Sequence, residues 1–198
     1  MTATIILVRH AAHSQLEHVL CGRAGDVPLS EAGSAQALRL ARRLGGEGVD
    51  EVQTSPVRRA RETAQALTMV RRAPVTVAEA LDEVDFGEWT GREFAALEGD
   101  PRWREWNARR GAARAPGGEA MVAVQERVLA HLRAVARRAE GLVVAMVSHA
   151  DVIRAAVAGV LGLSLDRILA FDIDPASVTR IAAGPWGERV LSLNERTA

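Results

Sequence analysis

The chain has 198 residues, 48% of them apolar and 25% charged, proportions that suit one soluble globular domain with a single substantial core. Its 25 basic residues, arginines throughout, are matched by 25 acidic ones, so net charge gives no general attraction to nucleic acid or an anionic membrane. The lone cysteine, Cys21, excludes an intrachain disulfide; no signal peptide and no membrane-length apolar run is visible, which predicts a cytoplasmic protein.

In chain order, Ile5-Ile6-Leu7-Val8 is an apolar run without alternation, as expected of a strand buried on both faces of a sheet. Ser30 opens a helix that carries Ala37, Leu38, Leu40, Ala41 and Leu44 at helical spacing and stops at Gly45-Gly46. A weaker strand is predicted over residues 49–53. Ser55-Pro56 reads as the next helix start, with serine as cap and proline in the first turn. A short strand falls at 75–77, and the irregular, tryptophan- and arginine-rich stretch 91–116 reads as a helical excursion over one end of the sheet. After Pro116-Gly117-Gly118 a long amphipathic helix is predicted over 119–138. A second doubly buried strand follows at 142–147, then a helix after His149, and candidate strands at 168–173, 178–182 and 189–193. Strands alternating with helices predict a three-layer α/β/α sandwich, spanning residues 1–198 as one domain, with a mainly parallel central sheet and a small helical cap.

Val8-Arg9-His10 and Val147-Ser148-His149 each place a histidine just past the C-terminal end of a predicted buried strand, the edge where open α/β sheets bind ligands. A third strand leads through Thr54-Ser55-Pro56 into a helix bearing Arg58, Arg59 and Arg61, which sends arginines to the same rim. Guanidinium forks match phosphate oxygens, and a neutral imidazole nitrogen can attack phosphorus. Neighbouring arginines should lower the pKa of the first histidine and keep it unprotonated. The second histidine, when protonated, can donate to an equatorial phosphoryl oxygen. Such a positive field requires no metal and no cofactor.

These blocks, with Cys21-Gly22-Arg23, Pro28-Leu29-Ser30, the stretch from Leu81 through Asp82-Glu83 to Thr90-Gly91, and Pro116-Gly117-Gly118-Glu119, resemble the histidine phosphatase superfamily, in the branch that includes cofactor-dependent phosphoglycerate mutases. They occur in the family's order and cover nearly the whole chain. The resemblance implies a phosphoglycerate mutase-like fold and a phosphomonoester hydrolase. By matching position it implies that His10 is the phosphoryl-accepting nucleophile, Arg9 and Arg59 clamp the phosphate, and His149 is the second histidine of the phosphate pocket. Glu83 matches the proton donor, and Gly22 and Arg23 the substrate side.

The chain departs from that pattern at Ala11 and Ala150, where glycine usually follows each histidine. His13 stands in place of a hydroxyl residue, which makes it a candidate phosphate contact, Leu16 stands in place of asparagine, and Asp174-Pro175-Ala176-Ser177 replaces a tail segment that often contains asparagine. These changes spare the catalytic core and bear on the substrate pocket, so the small phosphorylated substrate is left unnamed.

Three alternatives compete with a phosphatase. A mutase would return the phosphoryl group to a second hydroxyl; the short 91–114 excursion argues against it, although its arginines 102, 104, 109, 110 and 114 keep it open. A metallohydrolase could be drawn from His10, His13, His149 and Glu83, but the spacing begins at a strand end and lacks a glutamate beside the first histidine. An idle phosphate-binding module fits poorly with a nucleophile and acid both present. Arginine pairs 71–72, 109–110 and 137–138 read as solvated faces, Trp103 and Trp106 as cap packing, and His18 and His131 as residues without function. An exposed sheet edge leaves room for a homodimer.

Overall fold

The computed structural model describes residues 2–24, 26–70 and 72–196; Met1, Gly25, Arg71, Thr197 and Ala198 fall outside it. Six strands form one mixed sheet in the order β3-β2-β4-β1-β5-β6. They are β1 (Ala3–Arg9), β2 (Glu51–Thr54), β3 (Val75–Val77), β4 (Val143–Ser148), β5 (Val178–Gly184) and β6 (Gly187–Glu195). The four strands β3, β2, β4 and β1 run parallel, while β5 and β6 are antiparallel additions beyond β1.

β1 and β4 are the apolar runs recognised in the sequence, and both are covered on two sides. Ile5 and Leu7 face a core layer with Leu132, Met146 and Ile153, whereas Ile6 and Val8 face one with Leu40, Ala60 and Val147. Helices α1 (Glu31–Leu44) and α2 (Arg58–Val70) supply the second layer; α5 (Met121–Arg138) and α6 (Ala150–Leu161) supply the first. Helix α1 buries Ala37, Leu40, Ala41 and Leu44 of the predicted stripe together with Gly33, while Leu38 is exposed, and Ser30 caps the helix by accepting the Gly33 N–H at 3.0 Å. Burying a leucine such as Leu40 contributes roughly 2 kcal/mol.

The 91–116 excursion contains two short helices, α3 (Phe94–Glu98) and α4 (Pro101–Ala108), the second capped by Asp100 with Pro101 in its first turn. Trp89 and Trp106 are fully buried beneath it, ring centroids 6.0 Å apart, and Trp103 stacks edge-on against Trp89 at 5.2 Å. Packing is therefore what these tryptophans do.

Two element expectations change. The stretch 168–173 is no strand: a 3₁₀ turn covers Leu165–Ala170, started by Ser164, whose hydroxyl accepts the Asp166 N–H. Leu165, Ile168 and Ile173 reach the core without a strand while Leu169 is exposed, and a run this short does not distinguish the two. Helix α2 begins at Arg58, beyond Ser55-Pro56, and the Ser55 hydroxyl also bonds to His149 and Asp82.

Candidate active site

Parallel pairing of β1 with β4 sets Arg9 opposite Ser148, so the next residues, His10 and His149, leave the same sheet edge side by side. Their ring centroids are 5.1 Å apart. β2 flanks β4 on its other side, bringing Thr54 opposite Val147 and delivering Ser55 and the start of α2 to the same edge. His149 is the N-terminal cap residue of α6, so the first-turn N–H groups of that helix face the edge and favour an anion there.

Both histidines are buried. His10 Nδ1 lies 2.8 Å from the carbonyl of its own neighbour Ala11, which requires the proton on Nδ1 and makes Nε2 the unprotonated nitrogen. Burial first, then His149, Arg59 and Arg9, hold the His10 pKa well below the usual value and keep the ring neutral. Ala11 needs no left-handed backbone, since it is absent from the non-glycine residues with positive φ, so alanine is accommodated there without strain. Its N–H donates to the Thr63 hydroxyl at 3.0 Å. Two backbone hydrogen bonds lock this turn from outside: Ser30 N–H donates to Ala12 O, and Ala176 N–H to Arg9 O. Ala176 does so from a left-handed backbone with φ 57°.

Arg59, only 2% exposed, is the hub of the site. Its Nε donates to His10 Nε2 at 3.3 Å, and one terminal nitrogen donates to the Gly22 carbonyl at 2.7 Å. That same nitrogen lies 3.3 Å from His149 Nδ1 and 3.8 Å from Glu83 Oε2. The other terminal nitrogen is buried without a partner, as is Nε of Arg9, whose guanidinium is anchored by the Ile173 carbonyl at 2.6 Å. Two buried guanidinium groups with unused donors at one sheet edge are suited to phosphoryl oxygens.

An Arg59 donor facing Nδ1 places the His149 proton on Nε2, which donates to the Ser55 hydroxyl at 2.9 Å; Ser55 in turn donates to Asp82 Oδ1 at 3.1 Å. Burial, then Arg59, holds the His149 pKa well below normal, which favours the neutral ring. Glu83 Oε2 sits 3.3 Å from His149 Nδ1. Burial pushes the Glu83 pKa up to about 7 against the pull of Arg59, and a protonated carboxyl is the form that suits a neighbouring lone pair.

The loop carrying Glu83 is fixed by residues outside the pocket. Asp82 Oδ1 accepts the Glu83 N–H at 2.8 Å, and Arg23 and Arg127 both donate to the Glu83 carbonyl. Arg23 also pairs with Glu119 at 2.8 Å, so it braces the acid loop; it is not among the residues lining the pocket. Arg9, His10, His13, Gly22, Arg59, Glu83 and Ala150 do line a cavity of about 210 Å³. His13 is buried there, with its pKa lowered to about 4 by burial and the two arginines.

Arg110, expected on a solvated face, is instead buried and pairs with Asp151 of α6 at 2.5 Å. Its partner lies far away in sequence, so nothing local marks it. Ser55 and Asp82 were missed as site residues for the same reason, Ser55 having the local signature of a helix cap. A metal centre on these histidines is opposed by the Arg59 guanidinium, which faces His10 Nε2 directly.

Among known proteins, the chain is 32% identical to "Phosphoserine phosphatase 1" of Hydrogenobacter thermophilus, covering 96% of this chain and 91% of that protein. It is 29% identical to "Probable phosphoglycerate mutase GpmB" of Salmonella newport, over 80% of this chain and 75% of that one. The solved structure of Bacillus stearothermophilus YhfR superposes with a TM-score of 0.92 at 27% identity, covering 98% and 97% of the two chains. No helix among the described residues is long and apolar enough to cross a membrane. The family model for the histidine phosphatase superfamily (branch 1) matches residues 5–196, and the chain belongs to that superfamily.

Proposed function

We propose that this protein hydrolyses small phosphomonoesters through a phosphohistidine on His10. The observation that carries the mechanism is that one guanidinium, Arg59, lies within 4.0 Å of the His10 lone pair, the His149 ring and the Glu83 carboxyl. In the first step His10 Nε2 attacks phosphorus while the bond to the leaving oxygen breaks, and Glu83 gives its proton to that oxygen, releasing an alcohol. In the second, Glu83, now a carboxylate, takes a proton from water; the hydroxide attacks phosphorus, the P–N bond breaks, and inorganic phosphate leaves with His10 restored. Arg9, Arg59 and the N-terminus of α6 stabilise the equatorial oxygens throughout.

Hydrolysis is favoured over transfer to a second hydroxyl by the fate of the 102–114 arginines. Arg102 pairs with Glu88 and Asp100, Arg109 with Glu105, and Arg110 with Asp151, and none lines the pocket. The test is Glu83→Gln assayed in excess chelator. It should slow alkyl phosphates by about 10²–10⁴-fold and aryl phosphates, whose leaving groups need less protonation, far less. Equal slowing of both would remove Glu83 from the acid role, and loss of wild-type turnover in chelator would remove the metal-free mechanism.

A further inference from the structure

We infer that the natural substrate is a phosphomonoester whose leaving alcohol carries no anionic group. This rests on the phosphatase function proposed above and concerns the outer half of the same pocket. Beyond the phosphoryl-binding floor, the cavity wall is made by Leu16, Val19, Leu20 and Phe94, with no basic side chain among them. The wall is built, not draped. Val19 bridges to Glu93, Leu20 N–H donates to Arg92 O at 2.9 Å, and Phe94 N–H donates to His18 O at 3.0 Å.

The arginines that flank this wall in sequence are turned to other carboxylates. Arg23 holds Glu119 and Asp82, and Arg92 holds Asp100. The charged residue that does line the outer pocket is Glu17, exposed and without an ion pair among the described residues. A carboxylate or second phosphate on the leaving group would therefore lose water against an apolar wall, find no cation beyond the phosphoryl clamp, and be repelled by Glu17. A hydroxyl fares better, because it brings no charge to be desolvated against this wall or repelled by Glu17. Phosphoserine and phosphoglycerate, named in the relatives, both carry a carboxylate, so this pocket departs from what those names describe.

A matched series of two-carbon esters tests this on the full-length protein: ethyl phosphate, phosphoethanolamine and phosphoglycolate, compared by kcat/KM. Ethyl phosphate and phosphoethanolamine are expected to exceed phosphoglycolate by about tenfold or more. Glu17→Gln should narrow the ratio of phosphoethanolamine to phosphoglycolate by about threefold, an electrostatic change that a purely structural role for Glu17 does not produce. Phosphoglycolate turned over as well as ethyl phosphate overturns the inference while leaving the phosphatase intact. Turnover of none of the three overturns the phosphatase function and the inference with it.

Discussion

At the scale of single residues, function depends on two protonation states set by burial. His10 is kept neutral so that it can attack, and Glu83 is kept protonated to about pH 7 so that it can donate. The sign of the pH dependence follows. Because the Glu83 pKa is raised, its reactive acid form is present below about 7 and is lost above it; because the His10 pKa is lowered, its reactive neutral form survives well below 6.5. For an alkyl phosphate, kcat/KM should be highest on the acid side of neutrality and fall roughly tenfold per pH unit above that point. A kcat/KM that rises from pH 7 to 9 would contradict the assignment. Ser55 and Asp82 stand behind this pair: Asp82 Oδ1 accepts both the Ser55 hydroxyl and the Glu83 N–H, so one carboxylate orients the second histidine and the acid together.

At the scale of elements, the nucleophile is held by a helix, α1, that does not line the pocket. Gly33, in the first turn of α1, packs so closely on the turn after His10 that a Cβ there would lie 1.8 Å from the Ala12 carbonyl oxygen. Ser30 and Gln36 of the same region bond to that turn at 3.0 Å each. Gly33→Ala must push α1 and the His10 turn apart. It should destabilise the fold by about 1–3 kcal/mol and lower kcat by more than it raises KM, because a displaced nucleophile loses in-line geometry first. Urea unfolding and steady-state kinetics on the same variant check both parts, and unchanged values for both would show that the contact does not position His10. A similar crossing joins the acid block to the Pro116-Gly117-Gly118 block, where a Cβ on Gly118 would meet the Asp85 carbonyl at 2.1 Å. That contact gives the Gly-Gly motif a steric reason.

At the scale of the whole molecule, what was legible in the sequence is what local pattern encodes. The runs 5–8 and 142–147 are buried on both faces and therefore apolar throughout, and a strand of that kind ending on histidine announces its own sheet edge. The ladder between β1 and β4 then brings His10 and His149 together, as the two strand ends suggest. What stayed hidden depends on partners distant in the chain. Arg110 resembles any surface arginine until Asp151 arrives, nothing local shows that Arg23 pairs with Glu119, and Ser55 reads as a helix cap until the fold sets it between His149 and Asp82. The stretch 168–173 has the composition of a strand, but Ser164 starts a 3₁₀ turn over Leu165–Ala170 that takes up its first half.

The central claim is a covalent phosphohistidine at position 10. Wild-type and His10→Ala protein, mixed with a phosphomonoester in chelator, quenched in alkali and mapped by mass spectrometry, test it most directly. The mechanism predicts a phosphoryl adduct on His10 of the wild type that forms and decays at rates compatible with turnover, and neither adduct nor turnover in the variant. Full turnover by His10→Ala, or an adduct on another residue, would contradict it.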